Sequence, residues 1–99
     1  MIRIAICDDE KHMSDHIRAM ASDFFRKKNR EIQLRTFLSG EDLLNYDGQI
    51  DILFLDIQMK GMDGLETARK LRADKFRGFL IFITVLKEKI GRASCRERV

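Results

Sequence analysis

Apolar and polar positions along the chain alternate in two rhythms, and each change of rhythm marks an element. Ile2, Ile4, Ala5, Ile6 and Cys7 form a short apolar run that stops at Asp8, Asp9 and Glu10. Such a run predicts a buried strand. From Glu10 to about Lys28 the apolar residues fall at Met13, Ile17, Met20, Ala21 and Phe24. These recur with the helical period and predict an amphipathic helix with that stripe turned inward. Ile32–Phe37 reads as a second strand, and "SGEDLLNY" as a short helix whose Ser39 and Asp42 can cap its first turn. "IDILFLD", ending at Asp56, is nearly continuous in apolar character, the pattern of a central parallel strand covered on both faces. Beyond a loop around Gly61, Asp63 and Glu66 stand at capping-box spacing ahead of a helix whose Leu65, Ala68 and Leu71 are expected to face inward. "FLIFIT", from Phe79, is a fourth strand.

The order is therefore βαβαβαβ. Strands separated by helices imply right-handed crossovers and an α/β fold with a doubly wound parallel sheet. In such sheets chemistry gathers at the carboxyl ends of the strands. Asp8 and Asp9 end the first strand, Asp56 ends the third and Thr84 ends the fourth. If the first and third strands are neighbours, three carboxylates converge. At about 4 Å two like charges repel by roughly 4 kcal/mol at an effective dielectric of 20, so the cluster must protonate or take a cation. Oxygen-only ligands suit Mg²⁺, and a carboxylate is also a competent nucleophile toward phosphorus. The set Asp8, Asp9, Asp56 and Thr84 thus points to metal-assisted phosphoryl chemistry.

Composition narrows the alternatives. The chain has 99 residues, 44% of them hydrophobic, which is one small domain with a single core. No apolar run approaches the roughly 18 residues of a membrane span and no signal peptide opens the chain, so a cytoplasmic location is expected. The net charge of +3 arises entirely from residues 87–99, and residues 1–86 balance. The basic group "RKKNR" at 26–30 sits at the end of the first helix, where it complements the helix dipole. Nucleic-acid binding by this chain is therefore not expected. His12 and His16 have a spacing that can bind zinc, but no third ligand is evident and they read as a solvated face. Cys7 reads as a buried apolar thiol, and its position and that of Cys95 define no disulfide or metal site.

The motifs "ICDDE", "LFLDIQMKGMDG" and "LIFIT" together resemble the receiver domain of two-component response regulators. The likeness covers roughly residues 2 to 86. It implies a flavodoxin-like sheet of strand order 2-1-3-4, and a phosphoryl group taken by Asp56 from a sensor histidine kinase. It further implies Mg²⁺ ligated by Asp9, Asp56 and the backbone carbonyl of Gln58, with Asp8 acting through a water, and Thr84 moving toward the phosphoryl oxygens as the switch. Chemistry of the chain's own would be limited to self-phosphorylation and self-dephosphorylation. "DIQMKGMDGLETARKLR" is most similar to receivers that precede LytTR-type DNA-binding output domains, which implies a role in transcription control.

The sequence departs from the family's pattern in four places. Lys60 stands where proline is frequent, and Val85 where a smaller residue is common. A receiver continues through a fourth helix, a fifth strand with a Lys-Pro pair and a fifth helix, yet this chain contains no proline. In their place "IGRASCRERV" resembles a translated sequencing adapter: ATC GGA AGA GCG TCG TGT AGG GAA AGA GTG encodes it, and an in-frame TAG follows. The expectation is a truncated receiver over residues 1–89, lacking the fifth strand and last two helices, and a non-native tail over 90–99. The competing enzyme reading, a Mg²⁺-dependent phosphatase or phosphotransferase with Asp56 as nucleophile, needs a nearby acid. Gln58 occupies the usual position and cannot serve. An inactive fragment is the third reading.

Overall fold

The computed structural model describes residues 1–59 and 61–83. It runs β1 (Ile2–Cys7), α1 (Lys11–Lys27), β2 (Ile32–Phe37), α2 (Gly40–Leu44), β3 (Ile52–Asp56), α3 (Gly64–Ala73) and β4 (Phe79–Ile83). The strands form one parallel sheet in the order β2-β1-β3-β4. This is the expected topology, with the first and third strands side by side. Lys60, Thr84, Val85, the expected truncation near residue 89 and the tail over 90–99 lie outside the described residues.

The two central strands are the most deeply covered. Ile4, Ala5, Ile6 and Cys7 are at most 1% exposed, and Leu53 and Leu55 are fully buried. Each such Ile or Leu contributes on the order of 2 kcal/mol by leaving water. Alternation sends Ala5, Cys7, Leu53 and Leu55 to one layer, where they pack with Leu43 of α2, Ala68 of α3 and Met59. Ile4 and Ile6 turn to the other face, on the side where α1 lies across β1 and β2. At the amino ends of the strands, Asp51 ties β3 to β1 twice. Its backbone N–H donates to the Arg3 carbonyl at 2.7 Å, and its Oδ2 accepts the Arg3 N–H at 2.8 Å.

Two helix faces differ from expectation. In α1 the buried residues are Ser14, Ile17 and Ala21, while Met20 and Phe24 are 50% and 53% exposed. The helix approaches the sheet along its small side chains, which turns the stripe away from the larger ones. Phe24 instead meets Phe25 edge to face at 5.1 Å and lies beneath the Lys28 ammonium. In α3, Gly64, Thr67 and Ala68 are buried and Leu65 points outward. Here too the small side chains set the contact: a Cβ on Gly40 of α2 would lie 2.2 Å from Thr67 Oγ1. The cap at Ser39, which accepts the Asp42 N–H at 3.0 Å, and the cap at Asp63, which accepts the Glu66 N–H at 2.9 Å, are as expected.

Both long helices end without glycine. Asn29 (φ 56°) and Lys75 (φ 68°) take the left-handed conformation. After α3, the Lys75 N–H donates to Arg72 O and the Phe76 N–H to Leu71 O; after α1, the Asn29 N–H donates to Arg26 O and the Arg30 N–H to Phe25 O. These are Schellman closures, and Leu71 with Phe76 supplies the apolar contact that accompanies one of them. A side chain in this conformation costs about 1 kcal/mol relative to glycine. Lys75→Gly is therefore expected to raise unfolding stability by about 1 kcal/mol, read as an upward shift of the urea midpoint at unchanged m-value.

Candidate functional site

Parallel strands finish at the same sheet edge, and the register of β1 on β3 decides which residues meet there. Cys7 pairs with Leu55, so the next residues, Asp8 and Asp56, emerge side by side. Asp8 is held by its N–H donating to Phe37 O at 3.0 Å, and its Oδ1 accepts the Glu10 N–H at 2.9 Å. That local bond turns the chain from strand into α1. Asp56 Oδ1 accepts the Gln58 N–H at 3.2 Å in the same manner. One carboxylate oxygen from each of Asp8, Asp9 and Asp56 lies within 4.8 Å of the others. Asp8 is 0% and Asp56 1% exposed, so the cluster meets solvent on the side of the half-buried Asp9.

The structure thus brings together Asp8, Asp9 and Asp56, with Gln58 tied to Asp56 through its backbone. Thr84 is outside the described residues, and β4 leads toward this edge by pairing Ile83 with Asp56. His12 and His16 are exposed on α1. At the cluster's spacing each pair of charges repels by about 3 to 4 kcal/mol at an effective dielectric near 20. The donors are all hard oxygens, which fits Mg²⁺ and not a thiophilic metal. The neighbouring sulfur offers no competition. Cys7 Sγ donates to Ser39 O at 3.4 Å and lies 3.7 Å from Met59 Sδ. Burial first, then Asp8, Asp56, Asp42 and Asp9, push its thiol up to about 12. A cavity of about 740 Å³ lies at the opposite end of the strands, between residues 46–51 and 74–79, and shares no residue with the cluster.

Two supports were not read from the sequence. Gly64, the first residue of α3, packs directly on the backbone of β3: an added Cβ would stand 2.2 Å from Asp56 O and 2.7 Å from Ile57 Cα. Its N–H donates to Ile57 O at 2.9 Å, closing the loop at its base, while the Ile57 N–H donates to Ile83 O. Met59 is the second, buried against Cys7 at 8% exposure. A glycine opening a helix was the available signal for the first, and nothing in the pattern of a loop marked the second.

Comparison with known proteins agrees with this geometry. The sequence model of the response regulator receiver domain matches residues 4–97. The heme response regulator HssR of Staphylococcus epidermidis is 34% identical over 76 residues, covering 75% of this chain and 31% of that protein. Among solved structures, the response regulator TrrA of Thermotoga maritima, in complex with Mg²⁺-BeF, is 29% identical with a TM-score of 0.67 over 95% of this chain and 78% of that one. A chain from the complex of histidine kinase ThkA with TrrA is 32% identical, with a TM-score of 0.59 over 85% of this chain and 69% of that one. The chain spans about a third of the length of HssR.

Burial and the surrounding carboxylates act in the same direction on Cys7, keeping it protonated and out of reach. With iodoacetamide at pH 8, peptide mapping is expected to find Cys7 unmodified in the native chain and alkylated once urea unfolds it. Labelling at comparable rates in both states would contradict the placement.

Proposed function

The chain belongs to the response regulator receiver family, and from that premise we propose that Asp56 is its phosphoacceptor and that Asp8 and Asp9 complete a Mg²⁺ site beside it. The observation that carries the reading is the meeting of three carboxylate oxygens within 4.8 Å at the ends of two buried strands. Asp56 and Asp9, with the backbone carbonyl of Gln58, would hold the ion directly, and Asp8 would act through a water. Held by these residues, Mg²⁺ would supply charge neutralisation for the phosphoryl group being transferred. Asp56 supplies the nucleophilic oxygen: a P–O bond forms, the P–N bond of a phosphohistidine donor breaks, and the ring, already protonated on its other nitrogen, leaves as neutral imidazole. The Gln58 N–H on Asp56 Oδ1 orients that carboxylate. Thr84 supplies the hydroxyl that registers the product.

The donor in this reading is a sensor histidine kinase, a partner class supported by the ThkA–TrrA complex. The output is control of transcription through a DNA-binding domain outside this chain, of the LytTR type by the wording around Asp56. A cytoplasmic setting suits it, and among the described residues no helix is long and apolar enough to cross a membrane. No direct nucleic-acid contact is assigned to these residues. The chain's own chemistry is limited to gaining and losing one phosphoryl group, since Gln58 offers no acid for turnover of a separate ester. We keep residues 90–99 as an adapter-derived tail on the likeness of "IGRASCRERV" to that sequence, although the family match runs to residue 97. A genomic read placing those codons in native context would remove that proposal.

Incubation with Mg²⁺ and acetyl phosphate is expected to add a single phosphoryl group, labile to acid and base, that chelation of Mg²⁺ or Asp56→Asn abolishes. Intact-mass spectrometry reads it. A folded chain that gains no phosphoryl group would favour an inactive fragment, and steady hydrolysis of a separate phosphoester would favour the phosphatase.

A further inference from the structure

We infer that Met59, seated against Cys7, is a positioning residue for the Gln58 carbonyl; this rests on the reading of the acid cluster as a Mg²⁺ site. The argument begins from the planarity of the peptide bond. The Gln58 C=O and the Met59 N and Cα lie in one rigid plane, so anchoring Met59 fixes one side of the plane that carries the carbonyl. On the other side the plane begins at the Gln58 Cα, and the preceding peptide unit that meets it there is held by the Gln58 N–H on Asp56 Oδ1 at 3.2 Å, which leaves rotation about the Gln58 Cα–C bond for Met59 to restrain. The Gln58 side chain itself is exposed and contributes nothing to burial.

Met59 is well suited to the anchoring. It is 8% exposed although it belongs to a surface loop, and it joins the same buried cluster as Ala5, Cys7, Leu53 and Leu55. Its Sδ lies 3.7 Å from Cys7 Sγ, and Cys7 is the residue immediately before Asp8. The contact therefore links the loop after β3 to the end of β1, the two segments that carry the carboxylates. Gly64 secures the far end of the loop by bringing α3 onto the Asp56 carbonyl and by its hydrogen bond to Ile57 O. Removal of the Met59 side chain leaves that closure in place but releases the peptide plane between the two anchors.

The test is calorimetric titration of the full 99-residue chain with Mg²⁺ alone. The variants are Met59→Leu, Met59→Ala and Cys7→Ala, with Ile17→Ala as a control. Ile17 is 6% exposed on α1, across the sheet from the loop, so its truncation destabilises the fold without touching the anchor. Met59→Ala is expected to weaken Mg²⁺ binding about tenfold, the size usual for lost support of a metal ligand. Met59→Leu fills a similar volume and is expected to stay within about twofold of wild type. Ile17→Ala lowers the urea midpoint and leaves affinity unchanged in the folded chain. If Met59→Ala does not fold, Cys7→Ala decides from the β1 side with an expected loss of about tenfold. Wild-type affinity in folded Met59→Ala or, where that variant does not fold, in Cys7→Ala, or an equal loss in Ile17→Ala, overturns the inference alone. A wild-type chain that takes up no Mg²⁺ overturns the site reading as well.

Discussion

The parallel pairing of β1 with β3 is the constraint on which the remaining structure depends. It takes two acids separated by 48 positions, Asp8 and Asp56, and sets them at one edge because Cys7 pairs with Leu55. A slip of one residue would invert the faces of the strand and carry the buried side chains of β3 out of the core. The register is protected at the opposite end by Asp51, which exchanges hydrogen bonds with Arg3 through both its backbone and its carboxylate. The repulsion among the acids is thus opposed by the burial of Ile4, Ala5, Ile6, Leu53 and Leu55, which no rearrangement of the site can recover elsewhere.

The same reasoning explains the small residues around the site. A carboxylate at the end of a buried strand needs a following loop that turns back at once, because α3 must return along the sheet. Gly61, with φ 73°, takes a conformation that a side chain would strain. Gly64 lets the helix come to van der Waals distance from the Asp56 backbone, where any Cβ would collide. Cys7 lies just under the carboxylates as a small, neutral group, filling the layer between Ser39 and Met59 without adding another charge.

All four strands and both side-chain caps were legible in the sequence, because each has a local cause: a run of apolar residues, or a Ser or Asp ahead of a helix. Strand order followed from alternation of strands with helices together with the family likeness. Contacts set by the neighbours were not legible. Of the α1 stripe drawn through Met13, Ile17, Met20, Ala21 and Phe24, Ile17 and Ala21 are buried as expected, but Met20 and Phe24 are exposed and the small Ser14 is buried in their place. Leu65 failed for the same reason beside Gly64 and Thr67. Helix ends at Asn29 and Lys75 carried no glycine to announce them. For the site, the three acids could be read because strand ends are visible in a sequence, whereas Met59 could not, since its partner Cys7 is 52 positions away.

Among the described residues the sheet is covered unequally across its width. Ile4, Ala5, Ile6 and Cys7 of β1 and Leu53, Leu55 and Asp56 of β3 are closed to solvent, while on β4 Phe79 is 76%, Ile81 44% and Phe82 37% exposed. On β4 itself, Leu80 and Ile83 alternate with these positions and are partly covered, Leu80 against the core cluster. β4 is joined to the acid cluster by the pairing of Ile83 with Asp56 and by the Ile57 N–H on Ile83 O. Thr84 is the next residue in sequence after Ile83, whose pairing with Asp56 is the reason for the role proposed for it above.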